Sequence, residues 1–303
     1  MSQAALPALA LERPAAAQAG RRPHADADRE LPLLNEMTRM QTARGVFRLT
    51  LFVTSVLVVL PFQWVLMKLD VGAKVIPFRF HRWLLRVFGI RVKVTGAIEP
   101  GGGVLIAANH SSWIDILTVS SVGPISFIAK SEVNTWPGFG LLARLQQTIY
   151  VARNRRSKTA EQRDEIKERL GKGDTIVLFP EGTSSDGNRV LTFKSALMSA
   201  AEGTIPDGSK GGEKPIRVQP MSIAYTRLHG LPMNRAYRPF YAWYGDMDLV
   251  PHLWDMVRLG PIDCEITIHP PMTVAEIGSR KALAARCEAL VSESLTKALT
   301  GRG

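Results

Sequence analysis

The sequence predicts an α/β protein: a central mixed sheet flanked by helices, with an N-terminal membrane-associated helical segment. Two observations predict it. From about residue 94, short apolar runs rich in β-branched and aromatic residues alternate with helical patterns, the order that covers both faces of a sheet. Ahead of that alternation, residues 49–67 form a 19-residue run without a charge, followed at once by a basic stretch rich in aromatics. The expected organisation is a disordered tail over 1–40, membrane-anchoring helices over 41–93 and an α/β domain over 94–303.

The tail is rich in Ala and Pro, carries mixed charge and has no apolar period. The first long apolar run begins too late to be a secretory signal. That run, LTLFVTSVLVVLPFQWVLM, is just long enough to cross a bilayer core as a helix, which takes about 20 apolar residues. Pro61 and Gln63 are unusual in it, and Trp64 suits an interface. A buried core helix is the alternative.

Residues 68–93 hold seven basic residues and one acid, a net +6 of the chain's formal +11. Phe78, Phe80, Trp83, Leu84, Leu85 and Phe88 are interleaved with them. This is the composition of a helix lying on anionic lipid. Nucleic acid is the rival partner, and the neighbouring apolar run favours lipid. More positive charge follows the run than precedes it, which puts the C-terminal part in the cytoplasm, at the cytoplasmic (inner) membrane. A hairpin entering one leaflet gives the same side.

In the α/β part, 102–109 is a buried strand opened by glycines and 113–122 a helix. Residues 125–130 and 148–153 are strands, 158–173 is a charged helix stopped by glycine, and 174–180 is a strand ended by proline. Residues 193–201 form a helix, 218–225 and 264–270 are strands, and 274–299 is a terminal helical region. The 303 residues are 46% apolar and 21% charged, which excludes wholesale disorder and a polytopic membrane protein. Cys264 and Cys287 are the only cysteines, so neither a disulfide framework nor a cysteine zinc site is available.

Two strand ends carry chemistry. Asn109-His110-Ser111-Ser112-Trp113-Ile114-Asp115 sits where a buried strand gives way to a helix, the place where α/β ligand sites gather. Ser111 or Ser112 can cap the helix, exposing backbone N–H groups nearby. Asp115 falls in the first turn, within reach of the imidazole, where it would fix the tautomer and support a positive charge. A capped helix with a satisfied histidine is the bland alternative. Phe179-Pro180-Glu181-Gly182-Thr183 follows the strand 174–180 and faces the same crevice. Glu181 offers a carboxylate and Gly182 lets backbone approach a ligand, although a surface turn has the same composition. Lys194 is either a ligand cation or a solvated helix residue. The stretch from Arg144 to Lys158 lacks acids and includes Arg153, Arg155 and Arg156. Arg153 closes a strand and is the best placed to clamp an anionic head group. No Gly-x-Ser-x-Gly elbow, Walker A loop or zinc-spaced His/Cys cluster occurs. A metal on His110, Asp115 and Glu181 is a minor alternative; none is expected.

Together these blocks resemble the glycerolipid acyltransferase family typified by 1-acylglycerol-3-phosphate acyltransferase, over roughly residues 90–225. The resemblance implies His110 as base with Asp115 as its partner. It implies Arg153 at the acceptor's head group, with Glu181, Gly182 and Thr183 shaping the acceptor site and Lys194 beside it. Val218-Gln219-Pro220 to Ile223 is similar to a fourth block, which implies an acyl-donor pocket at Val218, Pro220 and Ile223. Many members have arginine after Glu-Gly-Thr, where Ser184 stands here. A lost charge-assisted phosphate contact costs about 1.5–3 kcal/mol, so either Arg153, Arg155 or Lys194 substitutes, or the acceptor is not a phosphate monoester. Residues 127–133, 184–190 and 244–249 look like bacterial members that acylate lyso-ornithine lipid.

The implied activity is direct transfer of a fatty acyl group from acyl-CoA or acyl carrier protein to the hydroxyl of a lysolipid such as 1-acylglycerol-3-phosphate, with lyso-ornithine lipid as the alternative acceptor and no cofactor beyond the thioester. Backbone N–H groups near the helix start are expected to stabilise the oxyanion. The implied partners are the bilayer, the lysolipid and the thioester donor, not nucleic acid. A non-catalytic lipid carrier and a thioester or lipid hydrolase are the rival classes.

Overall fold

The computed structural model describes residues 39–69, 71–151, 158–207 and 211–301. The expected tail lies outside them but for its last two residues, as does the arginine cluster at 153–156.

The chain opens with α1 (Arg39–Leu69) and α2 (Val75–Phe88). The first helix is longer than the apolar run and continues through Pro61. It is long and apolar enough to cross a membrane, and Phe47, Leu57, Phe62 and Trp64 point outward from it. Its other side is fastened to the rest of the molecule. Arg48 donates to the carbonyls of Val257 (3.0 Å) and Leu259 (2.8 Å), and Arg44 donates to that of Arg258. Gln63 donates to Ala73 O (2.6 Å) and Leu145 O (2.8 Å). The second helix has the amphipathic form its composition predicts. Leu84, Leu85 and Phe88 are buried, while Arg79, Arg82 and Arg86 are exposed. Gly89, at φ +75°, ends it with its N–H on Arg86 O.

The sheet runs β1-β10-β8-β2-β5-β3-β4. Its strands are β1 (Ile90–Thr95), β2 (Val104–Ala108), β3 (Ile125–Lys130), β4 (Ile149–Val151), β5 (Thr175–Leu178), β8 (Arg217–Leu228) and β10 (Ile262–Ile268). The short β9 (Leu231–Pro232) pairs β8, and β6 (Thr204–Pro206) and β7 (Glu213–Pro215) form a separate ribbon. β8, β2, β5, β3 and β4 are mutually parallel, whereas β10 is antiparallel to β8 and parallel to β1. The expected mixed sheet is therefore present.

β2 reads VLIAA and buries all five residues, because both sheet faces are covered. One core layer joins Leu84, Leu85 and Phe88 to α3 (Ile114–Ser120) and α6 (Leu249–Arg258). The other joins α5 (Lys158–Gly171) to α8 (Arg280–Thr300). The turn into β2 demands glycine: Gly102 has φ +67°, and a Cβ there would strike the Gly173 carbonyl.

Several elements differ from expectation. Residues 90–93 were expected in the membrane-anchoring helices but begin an edge strand. The expected helix 193–201 is a 3-10 segment, Ser195–Glu202, kinked at Met198. The terminal region is two helices, because Gly278 (φ +96°) ends α7 (Val274–Ile277) before α8. The helices α4 (Phe139–Leu145) and α6 went unread.

Candidate active site

β2 and β5 are parallel neighbours, with Ala107 opposite Leu178, so the loops leaving them emerge side by side. This brings the histidine and glutamate blocks together as the strand order predicts. Backbone bonds lock the loops: Ser185 N donates to His110 O at 2.8 Å, and Trp243 N donates to Ser111 O at 2.8 Å. Asn109 is buried and braces the turn, exchanging two hydrogen bonds with the backbone of Ile223 (3.0 and 2.8 Å).

His110 Nδ1 lies 2.8 Å from Asp115 Oδ2. The same oxygen accepts the Ser111 and Ser112 N–H groups at 2.7 and 2.9 Å. Asp115 Oδ1 accepts from the Tyr225 hydroxyl at 2.7 Å. A carboxylate is acceptor-only, so Nδ1 carries the hydrogen, and in the neutral ring Nε2 is the nitrogen with the lone pair. Phe179 stacks on the imidazole, with ring centroids 4.1 Å apart and planes 15° from parallel.

The serines therefore do not cap the helix with their side chains. The Asp115 carboxylate instead reaches back to the amides of the two serines, which precede the helix. Those two amides and that of His110, which donates to Glu181 Oε1 at 3.2 Å, are occupied. These three are therefore not free to bind an oxyanion.

Glu181 is buried, and its Oε2 has no hydrogen-bond partner among the described residues. Burial pushes its carboxyl up to about 8, partly offset by the His110 N–H and reinforced by the nearby Asp115 charge. It is a braced, neutral acid behind the histidine loop.

His110, Trp113, Phe179, Gly182 and Thr183 line one cavity of about 890 Å³. Phe52, Val56, Leu60 and Gln63 of α1 and Phe80 and His81 of α2 form another wall of it. The imidazole thus meets an apolar space shared with the two N-terminal helices. Asp246 and Lys130 also line it.

Other expected site residues fall elsewhere. Lys194 is exposed and stands outside the cavity wall. Val218, Pro220 and Ile223 are buried in the central strand β8, away from the cavity. Val218 and Ile223 belong to opposite core layers, as alternating side chains of a doubly covered strand must. Arg153 lies outside the described residues. Ser184 donates its hydroxyl to Trp243 O and so anchors the 243–247 segment. Sequence reasoning missed Tyr225 and the stacking role of Phe179. Phe179 was inside a recognised block, but a contact across 110 residues, as for Tyr225, has no local pattern.

Residues 89–224 match the acyltransferase family model. The chain is 46% identical to the lyso-ornithine lipid O-acyltransferase of Brucella abortus over 263 residues, covering 85% of this chain and 97% of that one. It is 40% identical to the Rhizobium meliloti protein of the same name, covering 81% and 84%. The fold resembles the crystal structure of the 1-acyl-sn-glycerophosphate (LPA) acyltransferase from Thermotoga maritima, with a TM-score of 0.61 at 22% identity, over 88% of this chain and 97% of that one. With nearly the whole of a relative covered at 46% identity, the chain belongs to the acyltransferase family and is an O-acyltransferase of membrane lipid synthesis.

Proposed function

We propose that the protein transfers a fatty acyl group from a thioester on coenzyme A or acyl carrier protein to the hydroxyl of lyso-ornithine lipid. The observation that carries this reading is the imidazole held by Asp115 at 2.8 Å on the wall of a large apolar cavity. His110 Nε2 takes the proton of the acceptor hydroxyl as its oxygen bonds to the thioester carbonyl carbon. Asp115 supports the imidazolium. Collapse of the tetrahedral intermediate breaks the C–S bond, and the imidazolium returns the proton to the leaving thiolate. No acyl-enzyme forms. Glu181 braces the histidine loop. Gly182 and Thr183 line the acceptor side; by its sequence block alone, Arg153 is the residue assigned to the head group.

The acceptor assignment draws on the names of the relatives and on Ser184, which removes the phosphate-binding arginine of many members. The protein works at the cytoplasmic face of the inner membrane, with the outer face of α1 in the leaflet and the arginines of α2 on lipid phosphates.

Purified enzyme should be given lyso-ornithine lipid or 1-acylglycerol-3-phosphate, each with acyl-CoA and with acyl carrier protein thioester. Preferential acylation of lyso-ornithine lipid is expected. Preference for the phosphate acceptor would overturn the acceptor assignment, and free fatty acid as the sole product would overturn acyl transfer to lipid.

A further inference from the structure

Asp115 is completely buried, and its two oxygens are served very differently. Oδ2 takes the imidazole and two backbone amides of the helix start. Oδ1 takes the Tyr225 hydroxyl at 2.7 Å and no other donor among the described residues. Tyr225 comes from β8, where it pairs with Cys264 of β10. It lies one residue beyond the stretch that matches the family model. Its ring stacks on Tyr241, with centroids 6.2 Å apart and planes at 15°. A ring so enclosed places its hydroxyl firmly.

We propose that Tyr225 is a positioning residue for acyl transfer: its hydroxyl fixes the Asp115 carboxylate so that Oδ2 stays turned to the imidazole. The inference rests on the reading of His110 as the base. Tyr225 acts through Asp115 and touches no reacting atom.

The surroundings agree with a donor role. Burial, and then the Asp115 charge, drives ionisation of Tyr225 well above the ordinary tyrosine range, so the hydroxyl keeps its hydrogen. Among the described residues, Glu181 from the end of β5, Cys264 from β10 and Tyr241 behind Tyr225 adjoin the pair. Burial raises all three, so each stays neutral near pH 7. Oδ1 of Asp115 thus has the Tyr225 hydroxyl as its donor, while the Glu288 and Glu265 carboxylates act on Glu181 and Cys264. Without that donor, proton uptake by the His110–Asp115 pair becomes easier, because the uncompensated carboxylate loses more than the carboxylate–imidazolium pair does.

The test is Tyr225→Phe in the full-length enzyme, assayed with the lysolipid that the wild type acylates. The expected result is a fall in kcat of about tenfold or more with acceptor KM little changed, and an acid limb of the kcat profile moved up by about one pH unit. A purely structural tyrosine would lower the melting temperature and leave that limb in place. A second comparison, normalised to the folded fraction of each protein, reads the coupling through Asp115 itself. Asp115→Asn and the Tyr225→Phe/Asp115→Asn double variant should have equal residual activity, since the hydroxyl then has no carboxylate to hold. A folded Tyr225→Phe enzyme with wild-type kcat and acid limb, or a double variant clearly weaker than Asp115→Asn, would overturn the proposal. Full activity in His110→Ala would instead remove the base itself.

Discussion

Asp115 shows how much of this site is built from one side chain. It ties down the loop before its own helix, holds the imidazole and receives Tyr225, all without contact with solvent. The His110–Asp115 pair is legible in the sequence because a strand end and the next helix's first turn fix their separation. That Asp115, rather than a serine side chain, accepts backbone amides here is not legible, since Ser and Asp at a helix start compete for such amides. Glu181 was legible as a carboxylate in the crevice, but its neutral state depends on burial that no motif reveals. That state has a consequence for stability. The folded protein holds a proton on Glu181 up to about pH 8, whereas the unfolded chain releases it near the ordinary glutamate value. The native state thus binds more protons between about pH 4.5 and 8, and this group makes stability fall as pH rises through that window. Glutamine cannot titrate and still accepts the His110 N–H. Glu181→Gln should therefore lose less melting temperature than the wild type between pH 5 and pH 8, as thermal unfolding in detergent would show.

At the scale of elements, α1 has two apolar faces, and the sequence reveals the apolarity without saying which face meets protein. Gln63, atypical in a membrane run, proves to be a fastening: its amide donates to the carbonyl that ends α4 and to Ala73 O. Arg48 does the same at the end of α6. From Arg48 to Gln63 the helix rises roughly 22 Å at 1.5 Å per residue, so most of its apolar length is tied down at both ends. Gln63→Leu should cost about 1–3 kcal/mol by stranding two carbonyls, measured as denaturant or thermal unfolding in detergent. Leu57→Ser, on the exposed face, should leave unfolding almost unchanged. The strand β1 was hidden because its basic residues continue the charge of α2.

For the whole molecule, the alternation of apolar runs and helices made the α/β class legible, and parallel β2 and β5 deliver the two motif loops to one place. The antiparallel β8–β10 pair sets Tyr225 behind them, a contact that only the assembled sheet creates. The cavity is likewise a property of the whole, since α1 and α2 form one wall and the strand-end loops another. Arg79, Arg82 and Arg86 lie exposed on α2, and α1 carries its own outward apolar face. Replacing all three by glutamine should weaken binding to anionic vesicles by about 1 kcal/mol per arginine, with little effect on neutral vesicles; vesicle sedimentation checks this.

The central claim is that the His110 imidazole deprotonates a lysolipid hydroxyl for direct attack on a thioester. Thiol release from the acyl thioester, followed over time with and without lysolipid, tests it most directly in the wild type and in His110→Ala. Acceptor-dependent release in the wild type, lowered at least about 10²-fold in a folded His110→Ala protein, is the predicted result. Release that persists in the variant, or that proceeds equally without acceptor, would contradict it.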